Sequence, residues 1–316
     1  MKERFLVIAN PKAAAGRAQR RWETLLDGLR GQGIEVDCAF TEYPGHAVTL
    51  AREACGRYTT LVAAGGDGTV NEVASGILLS AAPDVTLGVI PLGTGNDVAQ
   101  LQGITSMEEA IQALVSGETR RIDVIEARCR QGDAPAVRYA LLYASVGFAS
   151  ELLKYTTPLI KRIFGPRYCY SIGFFRALFR FHSPMMQISA GDRHFAGRMF
   201  FAGAGNAEYA GGGTMRLSPG AKMDDGLLNI TLVPELSRLE IIRCFPKLLA
   251  GTHDTIPSVS YFTAPALTVD ADPAMAVAVD GDIFGETPVE FRVRPGALAL
   301  HVPAPAMITR PSTVIS

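Results

Sequence analysis

The sequence predicts two domains: an α/β N-terminal domain whose parallel sheet is flanked by helices, then a mainly β C-terminal domain. Three observations carry this prediction. Over the first 120 or so residues, short apolar runs alternate with amphipathic segments, the pattern of strand–helix–strand crossovers. After Arg121 the pattern changes to short β-type runs separated by Gly, Pro, Asp and Asn clusters. The 316 residues are 48% hydrophobic, with 30 Lys+Arg against 31 Asp+Glu, which suits two buried cores and excludes a disordered chain.

Taken in order, residues 5–9 form a strand, and 19–31 a helix with Trp22, Leu25, Leu26 and Leu29 on one face. A strand over 34–40, a turn at Pro44-Gly45 and a helix over 46–57 follow. The next strand, 60–64, runs into Gly65-Gly66-Asp67-Gly68 and a helix through Leu79. A fourth strand, 87–90, runs into Pro91-Leu92-Gly93-Thr94-Gly95-Asn96-Asp97 and further helix to about Gly117. The first domain spans 1–123 and the second 124–295. In the second, strands are expected over 124–128, 136–148, 187–190, 198–204, 227–233, 267–270, 275–279, 289–294 and 297–302. Helical segments over 152–181 and 239–250 interrupt them.

A net charge of −1 argues against a general nucleic-acid binder, which needs excess Lys and Arg to neutralise phosphates. The N-terminal apolar run is too short for a signal peptide or a membrane span, and no later apolar run reaches eighteen residues. The scattered Cys38, Cys55, Cys129, Cys169 and Cys244 read as reduced thiols of a cytoplasmic protein.

Three loops after strands combine small residues with a helix start behind them: Asn10 to Arg17, Gly65 to Glu72, and Gly93 to Asp97. Glycine allows close backbone approach to a ligand, and the helix dipole favours negative charge at that end. One such loop could be a tight turn, and Thr69 with Glu72 also fits a helix capping box. Three together point to a phosphate-bearing nucleotide, although neither GxxxxGK[ST] nor a GxGxxG after the first strand is present.

GGDGTVNEV (65–73), PLGTGNDVA (91–99), GNAEYAGGGTMRLSPGAKMDDGLLNI (205–230) and VDGDIF (279–284) resemble the diacylglycerol kinase catalytic-domain family. Soluble bacterial lipid kinases look nearest, with sphingosine and ceramide kinases more distant. The resemblance implies an NAD kinase-like α/β domain and a β-sandwich domain, with the segment from about 296 to 316 packing back on the first. It implies an ATP site between the domains that includes Asn10, Thr41, Gly65, Gly66, Asp67, Gly68, Thr69, Val70, Asn71 and Thr94. It also implies a proton acceptor at the end of the DGE-like motif, here Asp282. A second Mg²⁺ site would form from Asp225 and the carbonyls of Lys222 and Leu227.

In the residues' own chemistry, backbone N–H groups of Gly66, Gly68 and Thr69 would cradle phosphates, with Lys12 and Arg17 adding charge. Asp67 suits Mg²⁺, or alternatively an Asx turn. A lipid hydroxyl needs a positioned carboxylate as base. Asp282 and Asp280 both remain open for that role, as does an Asp-Gly hairpin turn. Asp225 reads as a cation ligand or a polar turn.

Residues 152–181 hold six basic residues, eight aromatics and no acid. Such a segment suits either core packing with a solvated rim or peripheral contact with the inner face of a membrane, through Arg176, Arg180, Phe174 and Phe175. The expectation is therefore an ATP- and Mg²⁺-dependent lipid kinase acting on diacylglycerol or a relative. An NAD kinase-like enzyme and a non-catalytic nucleotide- or lipid-binding regulator are the alternatives. The acceptor and the oligomeric state, homodimer included, stay open.

Overall fold

The computed structural model describes residues 4–11, 26–82, 84–155, 173–213 and 215–304. The chain divides into one unit of Met1–Ile122 with Ala297–Ser316 and a second of Asp123–Gly296.

In the first unit, β1 (Arg4–Ala9) lies between β2 (Glu35–Phe40) and β3 (Thr60–Gly65), and β3 pairs with β4 (Thr86–Pro91), every pair parallel. Parallel strands covered on both faces read as unbroken apolar runs. Phe5 to Ala9 and all of β3 are buried, whereas edge strand β2 leaves Phe40 exposed. The far end of β14 (Asp282–His301) adds another parallel strand, with Ala299 and Leu300 beside Thr86 and Leu87. The chain after Gly296 therefore needs no core of its own.

Of the helix expected over 19–31, residues 19–25 lie outside the described residues; 26–31 are helical (α1) and bury Leu29. Helix α2 (His46–Ala54) stops short of Arg57, where Gly56 turns the chain at φ 82°. Helix α3 (Asp67–Leu78) starts at Asp67, with Gly66 extended as its N-cap, so the Thr69–Glu72 capping box does not form. Instead, Glu72 accepts N–H bonds from Gly45 (3.0 Å) and Ala47 (3.3 Å), satisfying donors at the start of α2. The helix expected up to Gly117 is two: α4 (Asp97–Leu101) and α5 (Met107–Ser116). They are parted at Gly103 (φ 77°), and α5 is opened by a Ser106–Glu109 capping box.

In the second unit, β5 (Thr119–Gln131) and β6 (Ala134–Ala140) form an antiparallel pair. β7 (Tyr143–Gly147), β8 (Met185–Ala190), β9 (Arg193–Gly205), β10 (Leu228–Pro234), β11 (Ser260–Ala264), β12 (Ala266–Asp272) and β13 (Ala276–Val279) pair antiparallel with one another and with β14. Strand pairing over the chain is thus mixed. Long β9 and β14 each serve successive partners, which closes a circuit β9-β7-β13-β14-β12-β8 back to β9. Closure hides strand edges, and Val146, Ile188, Leu228, Leu267 and Phe291 fill the core.

Three expectations need correction. The strand expected over 136–148 is broken into β6 and β7, because the N–H groups of Leu141, Leu142 and Tyr143 turn to the Asp280 carboxylate. The two strands expected over 289–302 are one, β14, which runs through Pro295-Gly296. Strand β11 was not anticipated. The segment 152–181 shows α6 (Phe148–Tyr155) and a helix over 173–180 (α7), with 156–172 outside the described residues. These helices and α8 (Arg238–Leu249) share a second cluster of Phe148, Phe174, Leu178 and Ile241. No described helix is long and apolar enough to cross a membrane.

Candidate active site

Open parallel sheets place ligands at the carboxyl ends of their strands, and there the first unit gathers its loops. The Asn10 N–H donates to the Ala64 carbonyl (3.1 Å) and the Thr41 N–H to that of Ala9 (2.9 Å), so both follow the sheet edge beside Gly65. Lys12 lies outside the described residues. The two glycine loops meet backbone to backbone: a Cβ on Gly93 would stand 2.4 Å from Gly66 Cα. The Leu92 N–H reaches the Gly65 carbonyl at 2.9 Å. Only hydrogen fits at Gly93, which is the physical reason for glycine there, while a Cβ on Gly66 would be a tight 3.2 Å from Gly93 Cα. Asn96 fastens the second loop, accepting from the Gly93 N–H (2.8 Å) and donating back to the Gly93 carbonyl (2.9 Å).

Helix α3 begins without a side-chain cap. Gly68 beside it is exposed with no atom within 4 Å of its Cβ position, and Thr94 is exposed as well. An uncapped helix start next to open space is suited to an anion. Thr69 and Val70 are buried, the Thr69 side chain packing against Gly65, so both can serve a ligand only through backbone. The buried Asn71 amide oxygen accepts from the Ser75 hydroxyl.

Asp67 accepts the Val98 N–H (3.3 Å), tying the start of α3 to the start of α4. Burial first, and then the charge of the buried Asp97, push the Asp67 carboxyl above the usual carboxylate range; the N–H groups of Val98, Asp97 and Asn96 pull the other way. A divalent cation bound at Asp67 would offset this unfavourable charge. Sequence reasoning overlooked Asp97, although it stands in the same motif as Thr94.

In the second unit the DGD turn separates two roles. Asp280, at φ 45°, accepts three backbone N–H bonds, from Leu141 (2.7 Å), Leu142 (3.0 Å) and Tyr143 (2.9 Å). Through these three bonds Asp280 holds the turn. Asp282 has 65% of its side chain exposed and pairs with Arg138 Nη2 at 2.7 Å, so its carboxylate remains reachable.

Two further buried side chains went unnoticed. The Asn206 amide donates to the carbonyls of Asp123 and Leu141, bracing the segment that Asp280 holds. Asp123 accepts the N–H groups of Gly226 and Gly296, each at 2.7 Å, and thereby fixes the loop carrying Lys222, Asp225 and Leu227. In that loop Asp225 is exposed and closes an Asx turn, accepting the Leu227 N–H at 3.0 Å. Among the described residues no cluster of three His, Cys, Asp or Glu forms a metal centre.

Helix α7 turns Phe174 inward against Phe148 and Phe245, so Phe174 is a core residue and not a surface contact. The outward positions are Phe175, Arg176, Phe179 and Arg180.

Residues 4–127 match the diacylglycerol kinase catalytic domain, and residues 159–302 match the YegS C-terminal NAD kinase beta sandwich-like domain. A protein of Pseudomonas aeruginosa named "Probable lipid kinase YegS-like" is 31% identical over 310 residues, covering 98% of this chain and 97% of that protein. A diacylglycerol kinase of Staphylococcus saprophyticus is 30% identical over 296 residues, 92% of each chain. The crystal structure of a diacylglycerol kinase from Bacillus anthracis shares the fold, with a TM-score of 0.75 at 22% identity over 96% of this chain and 98% of that one. By identity along nearly its whole length, and by two domain matches in the order the sequence requires, the chain belongs to the diacylglycerol kinase catalytic-domain family.

Proposed function

We propose that this protein is an ATP- and Mg²⁺-dependent lipid kinase that phosphorylates the hydroxyl of diacylglycerol or a related lipid. The setting is the cytoplasmic face of a membrane, in phospholipid biosynthesis. The observation that carries the reading is the backbone contact between the Gly66 and Gly93 loops. It leaves an uncapped helix start beside open space, with Asp67 and Asp97 close by.

When bound, ATP supplies the phosphoryl group and Mg²⁺ offsets its charge. The chain's own part is positioning and proton handling, which phosphoryl transfer needs more than covalent help. Backbone N–H groups of Gly66, Gly68 and Thr69 hold phosphate oxygens, while Asn10, Thr41 and Thr94 border the nucleotide and Lys12 adds charge. Asp67, with the charge of Asp97 acting on it, would hold the cation. Asp282 takes the proton of the acceptor hydroxyl, with Arg138 holding its carboxylate in place until then. Asp280 orients that turn from behind. A second Mg²⁺ on Asp225, with the Lys222 and Leu227 carbonyls, would steady the turn that Asp123 already braces. Its single carboxylate implies modest affinity.

The test is purified protein with γ-labelled ATP, Mg²⁺ and a lipid panel in mixed micelles. Label in diacylglycerol or a related lipid supports the reading. Label on NAD in place of lipid refutes it in favour of an NAD kinase, and nucleotide or lipid binding without any transfer refutes it in favour of a regulator.

A further inference from the structure

We propose that α7 and α8 together form a docking face for an anionic lipid bilayer, with α8 as its larger half. The two helices share the buried cluster of Phe174, Leu178 and Ile241. Arg238, at the start of α8, ties them at the surface: its guanidinium donates to the Phe179 carbonyl at 3.0 Å and lies 5.7 Å from the Phe179 ring centre.

Outside that cluster the pair is unusually apolar for a surface. Phe179 is 58% exposed and Leu239 66%, and Phe175 and Ile242 are exposed beside them. Exposed large apolar side chains grouped on neighbouring helices mark a surface that meets something. A groove of about 480 Å³ lies where the end of α7 meets the start of α8, its lining mixed, with Leu178, Phe181 and Ile241 beside His182, Glu235 and Arg238.

Charge decides what the face meets. Arg176 and Arg180 on α7 and Arg238, Arg243 and Lys247 on α8 are exposed. The acids nearby in the chain are Glu235, Glu240 and Asp254, fewer than the five cations, and Glu240 is engaged by Ser237 in the helix cap. Apolar side chains among basic ones are the pattern of a helix lying in a bilayer interface. A second copy of this chain would set positive against positive, whereas an anionic bilayer complements both the charge and the apolar residues.

The proposal rests on the lipid-kinase reading for its purpose, and its test needs no ATP. Full-length protein is sedimented with vesicles of phosphatidylcholine alone and of phosphatidylcholine with one quarter phosphatidylglycerol. Wild type should pellet with the anionic vesicles only. R243A/K247A should lower partitioning about 30-fold, roughly fivefold per charge, and L239A/I242A should lower it too, with thermal melts unchanged in both. Wild type that ignores anionic vesicles, or variants that bind like wild type, would overturn the proposal. So would variants that only turn a dimer into a monomer. Vesicle binding that depends on α8 without lipid phosphorylation would uphold the docking face and sink the kinase reading. Phosphorylation with α8-independent binding would do the reverse.

Discussion

Replacing each aspartate of the DGD turn by asparagine should separate a positioning residue from the base. Asp280 accepts three backbone N–H bonds of 2.7 to 3.0 Å, and its backbone sits at φ 45°, a conformation that asparagine also tolerates. Asp280→Asn therefore adds no backbone strain. It keeps one acceptor oxygen and turns an NH₂ group toward the donors, stranding at least one N–H. Bonds to a charged acceptor contribute about 1.5–3 kcal/mol each, so stranding the Leu141 N–H while Leu142 and Tyr143 keep the remaining oxygen should cost at least about that much. Asp282→Asn loses only an exposed ion pair with Arg138, worth about 0–1 kcal/mol. Its turnover should nevertheless fall by about 10²–10⁴-fold, the usual contribution of a general base. Thermal melts and labelled-lipid assays on the two proteins read both effects. If Asp280→Asn melts with wild type, or Asp282→Asn keeps full turnover, the division of roles is wrong.

Gly93→Ala places a methyl group 2.4 Å from Gly66 Cα, and the strain should raise the KM for ATP at least about tenfold; an unchanged KM would show that the loop contact is not needed. Asp97→Asn removes the charge that helps raise the Asp67 pKa, so the Mg²⁺ concentration giving half-maximal turnover should rise. Glu72→Gln weakens the cap on α2 and should destabilise the fold by about 1–2 kcal/mol while sparing kcat, as denaturant melts can show. Burial holds the His301 pKa at about 4, below its ordinary 6.5. The unfolded chain thus binds this proton more readily, so stability present above pH 6.5 is lost as pH falls toward 4, by up to about 3 kcal/mol. Melts over that range should show the slope, and His301→Asn should flatten it.

The residues legible in the sequence were those whose constraint is local. Gly93 announces a close backbone approach because nothing larger fits against Gly66, and the parallel strands β1, β3 and β4 announce themselves as apolar runs. What stayed hidden depends on distant partners. LLYASVGF contains no Gly or Pro at Leu141–Tyr143, so nothing local marks the strand break made by Asp280, 137 residues from Tyr143. Asp123 finds Gly226 and Gly296 at separations of 103 and 173 residues. Pro295-Gly296 looked like a strand end, yet Gly296 gives its N–H to Asp123 while β14 continues past it. Phe174 was misplaced because neighbouring phenylalanines on a short helix do not reveal its phase. The inward side is set by Phe148 and Phe245, on other helices.

The most direct measurement is where the phosphate goes. Protein is incubated with γ-labelled ATP, Mg²⁺ and diacylglycerol in mixed micelles, and the mixture is then partitioned between organic and aqueous phases. The account predicts label in an organic-phase phospholipid, formed by wild type and lost in Asp282→Asn. An unlabelled organic phase across the lipid panel, with folded protein that still binds ATP, would contradict it.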